Sequence, residues 1–170
     1  VVDALKAGAD IVIIGGAITK SKDAREATQT IKRAMSTLEA VPSELYRRAS
    51  DENIETILRS VSTANLCDAG HRMPGLPDLR PIAPGMRAVG KAVTVRTCPG
   101  DWAKPVEAVD LAQPGEVIVV DAGNQPPAIW GELATNSAVQ RRLGGLVVWG
   151  AVRDVKDILE LGFPVFASHV

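Results

Sequence analysis

Four apolar, strand-like runs, 88-AVGKAVTVRT-97, 117-VIVVDA-122, 145-GLVVW-149 and 164-PVFA-167, are separated by helical patterns at 103–112, 127–142 and 155–161. This alternation constrains the fold more than any other feature of the chain. Successive parallel strands need crossover connections, and a helix is the usual one. The pattern therefore predicts a layered α/β domain with much parallel pairing.

The stretch before these runs has a different organisation. Residues 11-IVII-14, bounded by Gly8 and Gly15-Gly16, carry the signature of a buried strand. Apolar positions Ala24, Ala27, Ile31, Ala34, Met35 and Leu38 form a helical stripe, with Ser21 or Asp23 available as its cap. Segment 40-AVPSELYRRAS-50 reads as a linker or short helical bridge. A second helix is expected after Ser50, with Asp51 and Glu52 in its first turn and Ile54, Ile57, Leu58 and Val61 on one face. The proline-rich stretch 71-HRMPGLPDLRPIAPG-85 is expected to be a surface loop. The domains are thus placed at 1–38 and 50–170, joined by a linker at 39–49. The chain begins Val1-Val2-Asp3 and stops at Val170 within an expected strand, and so reads as a fragment of a longer polypeptide.

Composition narrows the function classes. A net charge of −1 without a basic run argues against a nucleic-acid face. No apolar run reaches the ~18 residues a membrane helix needs, and no secretion signal is visible. Cys67 and Cys98 alone fit a reducing cytoplasm and make no zinc pattern with two histidines.

Three motifs can carry chemistry. In 131-GELATNSA-138, backbone amides can face an anion, or Leu133, Ala134 and Ala138 can pack inward with Glu132 solvated. In 146-LVVWGAVRDV-155, Asp154 is a natural N-cap for the following helix and Arg153 a surface charge. The same pair, at the carboxyl end of a strand, can instead hold a divalent metal and an anionic oxygen. In 119-VVDAGN-124, Asp121 is a turn-former or a pocket residue. A fourth feature, the Gly15-Gly16 turn ahead of a helix, is either a tight turn or a phosphate cradle.

Read in order, VVDAGN, WGELATNSA and GGLVVWGAVRDV, with 63-TANLCDA-69, 80-RPIAPGMRAVGKAVTV-95 and 114-PGEVIVVDAG-123 upstream, closely resemble the RraA-like family. That family includes 4-hydroxy-4-methyl-2-oxoglutarate aldolases that decarboxylate oxaloacetate, and regulators of ribonuclease E activity. The resemblance covers about residues 50–170 and implies a layered β/β/α domain of the swivelling type, truncated at its C-terminus. It assigns Asp154 to Mg²⁺ or Mn²⁺ and Arg153 to the keto or enolate oxygen. The amides of Leu133 and Ala134 would take the substrate carboxylate, and Glu132 a catalytic water. It also implies a homotrimer or hexamer. Where the family commonly has Asp before the Gly-Ala of this motif, this chain has Trp149.

Residues 8-GADIVIIGGAITKSKDAREATQTI-31 resemble the last βα unit of 3-hexulose-6-phosphate synthase, a TIM-barrel-type enzyme. Gly15 and Gly16 would then help hold a sugar phosphate. Three functions follow as expectations. The first is a cytoplasmic metal-dependent lyase acting on a 2-keto acid. The others are a non-catalytic ribonuclease regulator and part of a bifunctional hexulose-phosphate synthase whose catalytic residues lie upstream.

Overall fold

The computed structural model describes residues 1–41 and 49–170, so most of the linker expected at 39–49 lies outside the described residues. The chain divides into two compact units, Val1–Ser50 and Asp51–Val170.

The first unit contains α1 (Val2–Lys6), α2 (Gly16–Thr19) and α3 (Ala24–Thr37). Asp23 caps α3 as expected, its Oδ1 accepting the amides of Arg25 and Glu26 at 2.8 and 2.9 Å. The stripe predicted from Ala24 ends one residue early, where Leu38 turns into the left-handed region at φ 56°. The strand expected at 11–14 does not form. Ile11 and Ile13 are 84% and 98% exposed, and no strand pairs with them. A β-branched run supplies the propensity for a strand, but its amides and carbonyls need a partner strand, and the described residues offer none.

The second unit opens with α4 (Ile54–Ser60) and α5 (Thr63–Ala69), then β1 (Arg80–Pro81). Residues 51–53 form a turn ahead of α4 rather than its first turn. Ser62 caps α5 through the amide of Asn65 at 3.1 Å. The remaining elements alternate: β2 (Ala92–Arg96), α6 (Ala103–Leu111), β3 (Val117–Asp121), α7 (Glu132–Gln140), β4 (Gly145–Ala151), α8 (Val155–Glu160) and β5 (Val165–His169). They build one five-stranded sheet in the order β1-β5-β4-β3-β2. Strands β2 to β5 are parallel, and only β1, inside the expected proline-rich loop, runs antiparallel, beside β5.

Because the strands advance in one direction, right-handed crossovers place α6, α7 and α8 on the same face, where α7 packs against both others. That face holds the core. Ile118, Val120, Leu146, Val148 and Val165 from the strands and Ile158 from α8 are at most 1% exposed. Val119, Val147 and Phe166, on the alternate positions, are only partly buried. The second β layer of the expected β/β/α arrangement is not found among the described residues, since every described strand joins this sheet. At the head of α6, the Thr97 hydroxyl and the Ala103 amide bond the Asp101 carboxylate and hold it below its ordinary pKa.

Leu146 lies at the centre of the sheet with no exposed surface. Leu146→Ala is expected to destabilise the second unit by about 2–5 kcal/mol through lost burial and an unfilled cavity. Chemical denaturation followed by circular dichroism measures this.

Candidate functional site

The parallel strands end together, so the segments following β3 and β4 meet at the carboxyl edge of the sheet. The helix expected from 127 starts only at Glu132, because Ile129 and Trp130 first extend the sheet. The Ile129 amide donates to the Ala151 carbonyl at 3.1 Å, and Trp130 bridges to Val152 in parallel register. The Arg153 amide then donates to the Trp130 carbonyl at 2.9 Å. This pairing sets Gly131 and Glu132 directly beside Arg153 and Asp154.

The closest approach is at Gly131. A Cβ on this residue would stand 2.3 Å from Asp154 Oδ2 and 3.1 Å from Arg153 Cγ. Gly131 is in an extended conformation, φ −155°, which any residue can adopt. Glycine is therefore required here for space, not for backbone freedom. Through that gap the Glu132 amide donates to Asp154 Oδ2 at 3.1 Å, and Arg153 Nε lies 3.6 Å from the same oxygen.

Asp154 occupies the N-cap position of α8, but its side chain caps nothing in that helix. Its backbone is left-handed, φ 57° and ψ 40°, which turns the carboxylate across to α7. The N-cap reading of the sequence is thus right for the position and wrong for the side chain. Asp154 Oδ1 has no hydrogen-bond partner among the described residues.

The inward packing considered for Leu133 also fails, since this side chain is 82% exposed. Thr135 and Ala138, both without exposed surface, form the buried stripe of α7 instead, with Ala134 partly covered. The amides of Leu133 and Ala134 belong to the first turn of α7, where a helix has no internal acceptors. Neither makes a hydrogen bond among the described residues. Glu132 is exposed, its Oε1 accepting from the Asn136 side-chain Nδ2 at 3.4 Å.

One corner of the fold therefore gathers Glu132, two first-turn amides, Arg153 and Asp154. It combines a carboxylate, a guanidinium and helix amides, an arrangement suited to an anionic ligand and a cation together. No group of three or more His, Cys, Asp or Glu residues capable of holding a metal occurs among the described residues. Asp154 is the carboxylate in this corner that is held by one oxygen against α7 with its other oxygen left over.

Asp121 is the turn-former considered above: its Oδ1 accepts the Gly123 amide at 3.1 Å and its Oδ2 pairs with Arg96 Nε at 3.1 Å. Trp149 lies opposite Asp121 in the sheet register, and its carbonyl accepts the amides of Ala122 and Asn124. Gly15 caps the four-residue α2 and Gly16 begins it, in the first unit. Sequence reasoning missed the hydrogen-bonded pair Trp130 and Thr135 beneath the site. Its only trace was a tryptophan followed five residues later by a threonine in an expected helix.

The RraA-like family, described as Aldolase/RraA, matches residues 63–170, and the chain belongs to it. An uncharacterized protein of Methanocaldococcus jannaschii is 38% identical over 116 residues, covering 66% of this chain and 55% of that protein. A candidate 4-hydroxy-4-methyl-2-oxoglutarate aldolase of Halalkalibacterium halodurans is 34% identical over 113 residues, covering 65% and 54%. The chain thus spans about half the length of these relatives. Among solved structures, the RNA-processing inhibitor RraA from Thermus thermophilus superposes with a TM-score of 0.58 at 26% identity, over 64% of this chain and 67% of that one. No helix among the described residues is long and apolar enough to cross a membrane.

Gly131→Ala is expected to push the Asp154 carboxylate away from α7. The overpacking should cost about 1–3 kcal/mol by chemical denaturation. The Glu132 amide should then exchange with solvent faster, as hydrogen-exchange NMR reads.

Proposed function

We propose that the second unit is a divalent-metal-dependent carbon–carbon lyase. It cleaves or decarboxylates a 2-keto acid such as 4-hydroxy-4-methyl-2-oxoglutarate or oxaloacetate. The observation that carries this reading is the Asp154 carboxylate, held between the Arg153 guanidinium and the first turn of α7 with one oxygen uncommitted.

The donor set fits a hard cation in one particular way. A single carboxylate suits Mg²⁺ or Mn²⁺ when water and a chelating substrate supply the remaining oxygens. Asp154 would hold the ion through Oδ1 while Glu132 N–H keeps Oδ2 in place. When bound, the ion supplies Lewis-acid stabilisation of negative charge on the keto oxygen.

The chain's own groups do the rest. Arg153, its side chain 72% exposed, offers a planar and permanently charged donor to the oxygen on which enolate charge accumulates. The amides of Leu133 and Ala134 are oriented donors for the substrate's carboxylate at the positive end of a helix. Glu132, at the rim, orders a water that delivers or accepts a proton at the enolate carbon. In this reading the protein is a homotrimer or a hexamer of such units.

A second reading, a regulator of ribonuclease activity working through protein contact, is favoured by the likeness to the Thermus RNA-processing inhibitor. The sugar-phosphate reading of the first unit rests on the sequence resemblance of residues 8–31, in which Gly15 and Gly16 would help hold the phosphate.

Oxaloacetate decarboxylation by the full-length protein separates these readings. Turnover should require Mg²⁺ or Mn²⁺ and stop with EDTA. Arg153→Ala should lower kcat by about 10²–10³-fold, the loss typical of one donor to a developing oxyanion. Turnover indifferent to EDTA and to the substitution contradicts the lyase. Capture of an RNA-degrading endonuclease without any keto-acid turnover supports the regulator.

A further inference from the structure

We propose that Thr135 is a positioning residue for the Asp154 carboxylate, acting through a buried hydrogen-bonded relay that begins at the Trp130 indole. The inference rests on the reading of Asp154 as the metal-holding carboxylate, and adds what sets that carboxylate in place.

Thr135 is the one buried polar residue among the described residues, with no exposed surface. A core hydroxyl is unfavourable unless its hydrogen bonds are made, and here both are. The Thr135 hydroxyl donates to the Gly131 carbonyl at 2.9 Å, and the Trp130 Nε1–H donates to that hydroxyl at 2.8 Å. The first bond is the ordinary return of a helical threonine to the carbonyl four residues earlier. The second is not, and it commits the hydroxyl proton to Gly131.

Trp130 is tied on its other side as well. Its carbonyl accepts the Arg153 amide, and its backbone pairs with Val152. The indole thus fastens Trp130 to the first turn of α7, while its backbone fastens it to the segment carrying Arg153 and Asp154. Gly131 lies between these attachments, and Asp154 Oδ2 fills the space its Cβ would need. A displacement of α7 along the sheet large enough to break the Trp130–Thr135 bond also carries the Glu132 amide away from Asp154 Oδ2. The buried hydroxyl, which touches no ligand position, thereby fixes the direction in which Asp154 presents its other oxygen.

A residue that only fills space would be replaceable by valine, which has nearly the same shape. Thr135→Val leaves the Trp130 Nε1–H without its acceptor, whereas Thr135→Ser keeps the hydroxyl and loses only a methyl group. Trp130→Phe removes the donor and leaves Thr135 intact. The test is binding of Mn²⁺ alone to the full-length protein, by isothermal titration calorimetry and water-proton relaxation. It is run at a temperature where circular dichroism shows each variant folded.

Thr135→Val should weaken Mn²⁺ binding by about 10–100-fold, the usual effect of removing a group that orients a metal ligand. Thr135→Ser should bind as the wild type does. Trp130→Phe should weaken binding in the same direction, and it decides the matter should Thr135→Val fail to fold. Folded Thr135→Val or Trp130→Phe binding Mn²⁺ as tightly as wild type overturns the relay and leaves the metal reading standing. A wild type that binds no Mn²⁺ overturns the metal reading itself, and the relay's role with it.

Discussion

The missing Cβ of Gly131 lets two segments that are distant in sequence share one carboxylate. With any side chain there, Asp154 Oδ2 and the Glu132 amide could not meet at 3.1 Å. The rest of the corner depends on this contact. It engages one oxygen of Asp154, leaves the other uncommitted, and sets Arg153 beside the start of α7. The sheet supports it from below, since the Trp130–Val152 bridge continues the parallel pairing of β3 and β4 past their ends. A scaffold of buried aliphatic side chains thus delivers polar groups to one rim, as open α/β sheets generally do.

How much of this was readable in the sequence depended on whether the determining partner was local. The runs VIVVDA, GLVVW and PVFA became β3, β4 and β5 because each is a dense apolar segment next to a helix that covers it. The run IVII had the same composition and stayed unpaired, with Ile13 98% exposed. Propensity is a property of the segment, but a strand is a property of at least two. Helix α7 was placed in the right region yet begins five residues after its expected start. Ile129 and Trp130 are claimed by hydrogen bonds to the segment that follows β4.

The candidate site follows the same division. Resemblance to the RraA-like family pointed to Glu132, Leu133, Ala134, Arg153 and Asp154, and the structure sets these five at one corner. The physical reading of Asp154 as a helix cap had assigned its side chain to the wrong helix. A left-handed backbone at a non-glycine residue redirects the carboxylate, and no spacing rule reports it. Thr135 was invisible for a related reason: a helical threonine reads as neutral until its neighbours in space are known. Trp149, the departure from the family pattern, stands in register with Asp121, and its backbone carbonyl accepts the amides of Ala122 and Asn124 in the turn after β3.

In the proposed lyase, Asp154 and the first turn of α7 together receive a divalent cation and a planar dianion resembling an enolised 2-keto acid. The most direct measurement is a crystal structure of the full-length protein with Mn²⁺ and oxalate, using anomalous scattering to locate the metal. A manganese peak is expected at direct-coordination distance from an Asp154 carboxylate oxygen. Oxalate should contact Arg153 and the amides of Leu133 and Ala134. A manganese site elsewhere, or oxalate bound away from α7 with Asp154 still uncoordinated, would contradict it.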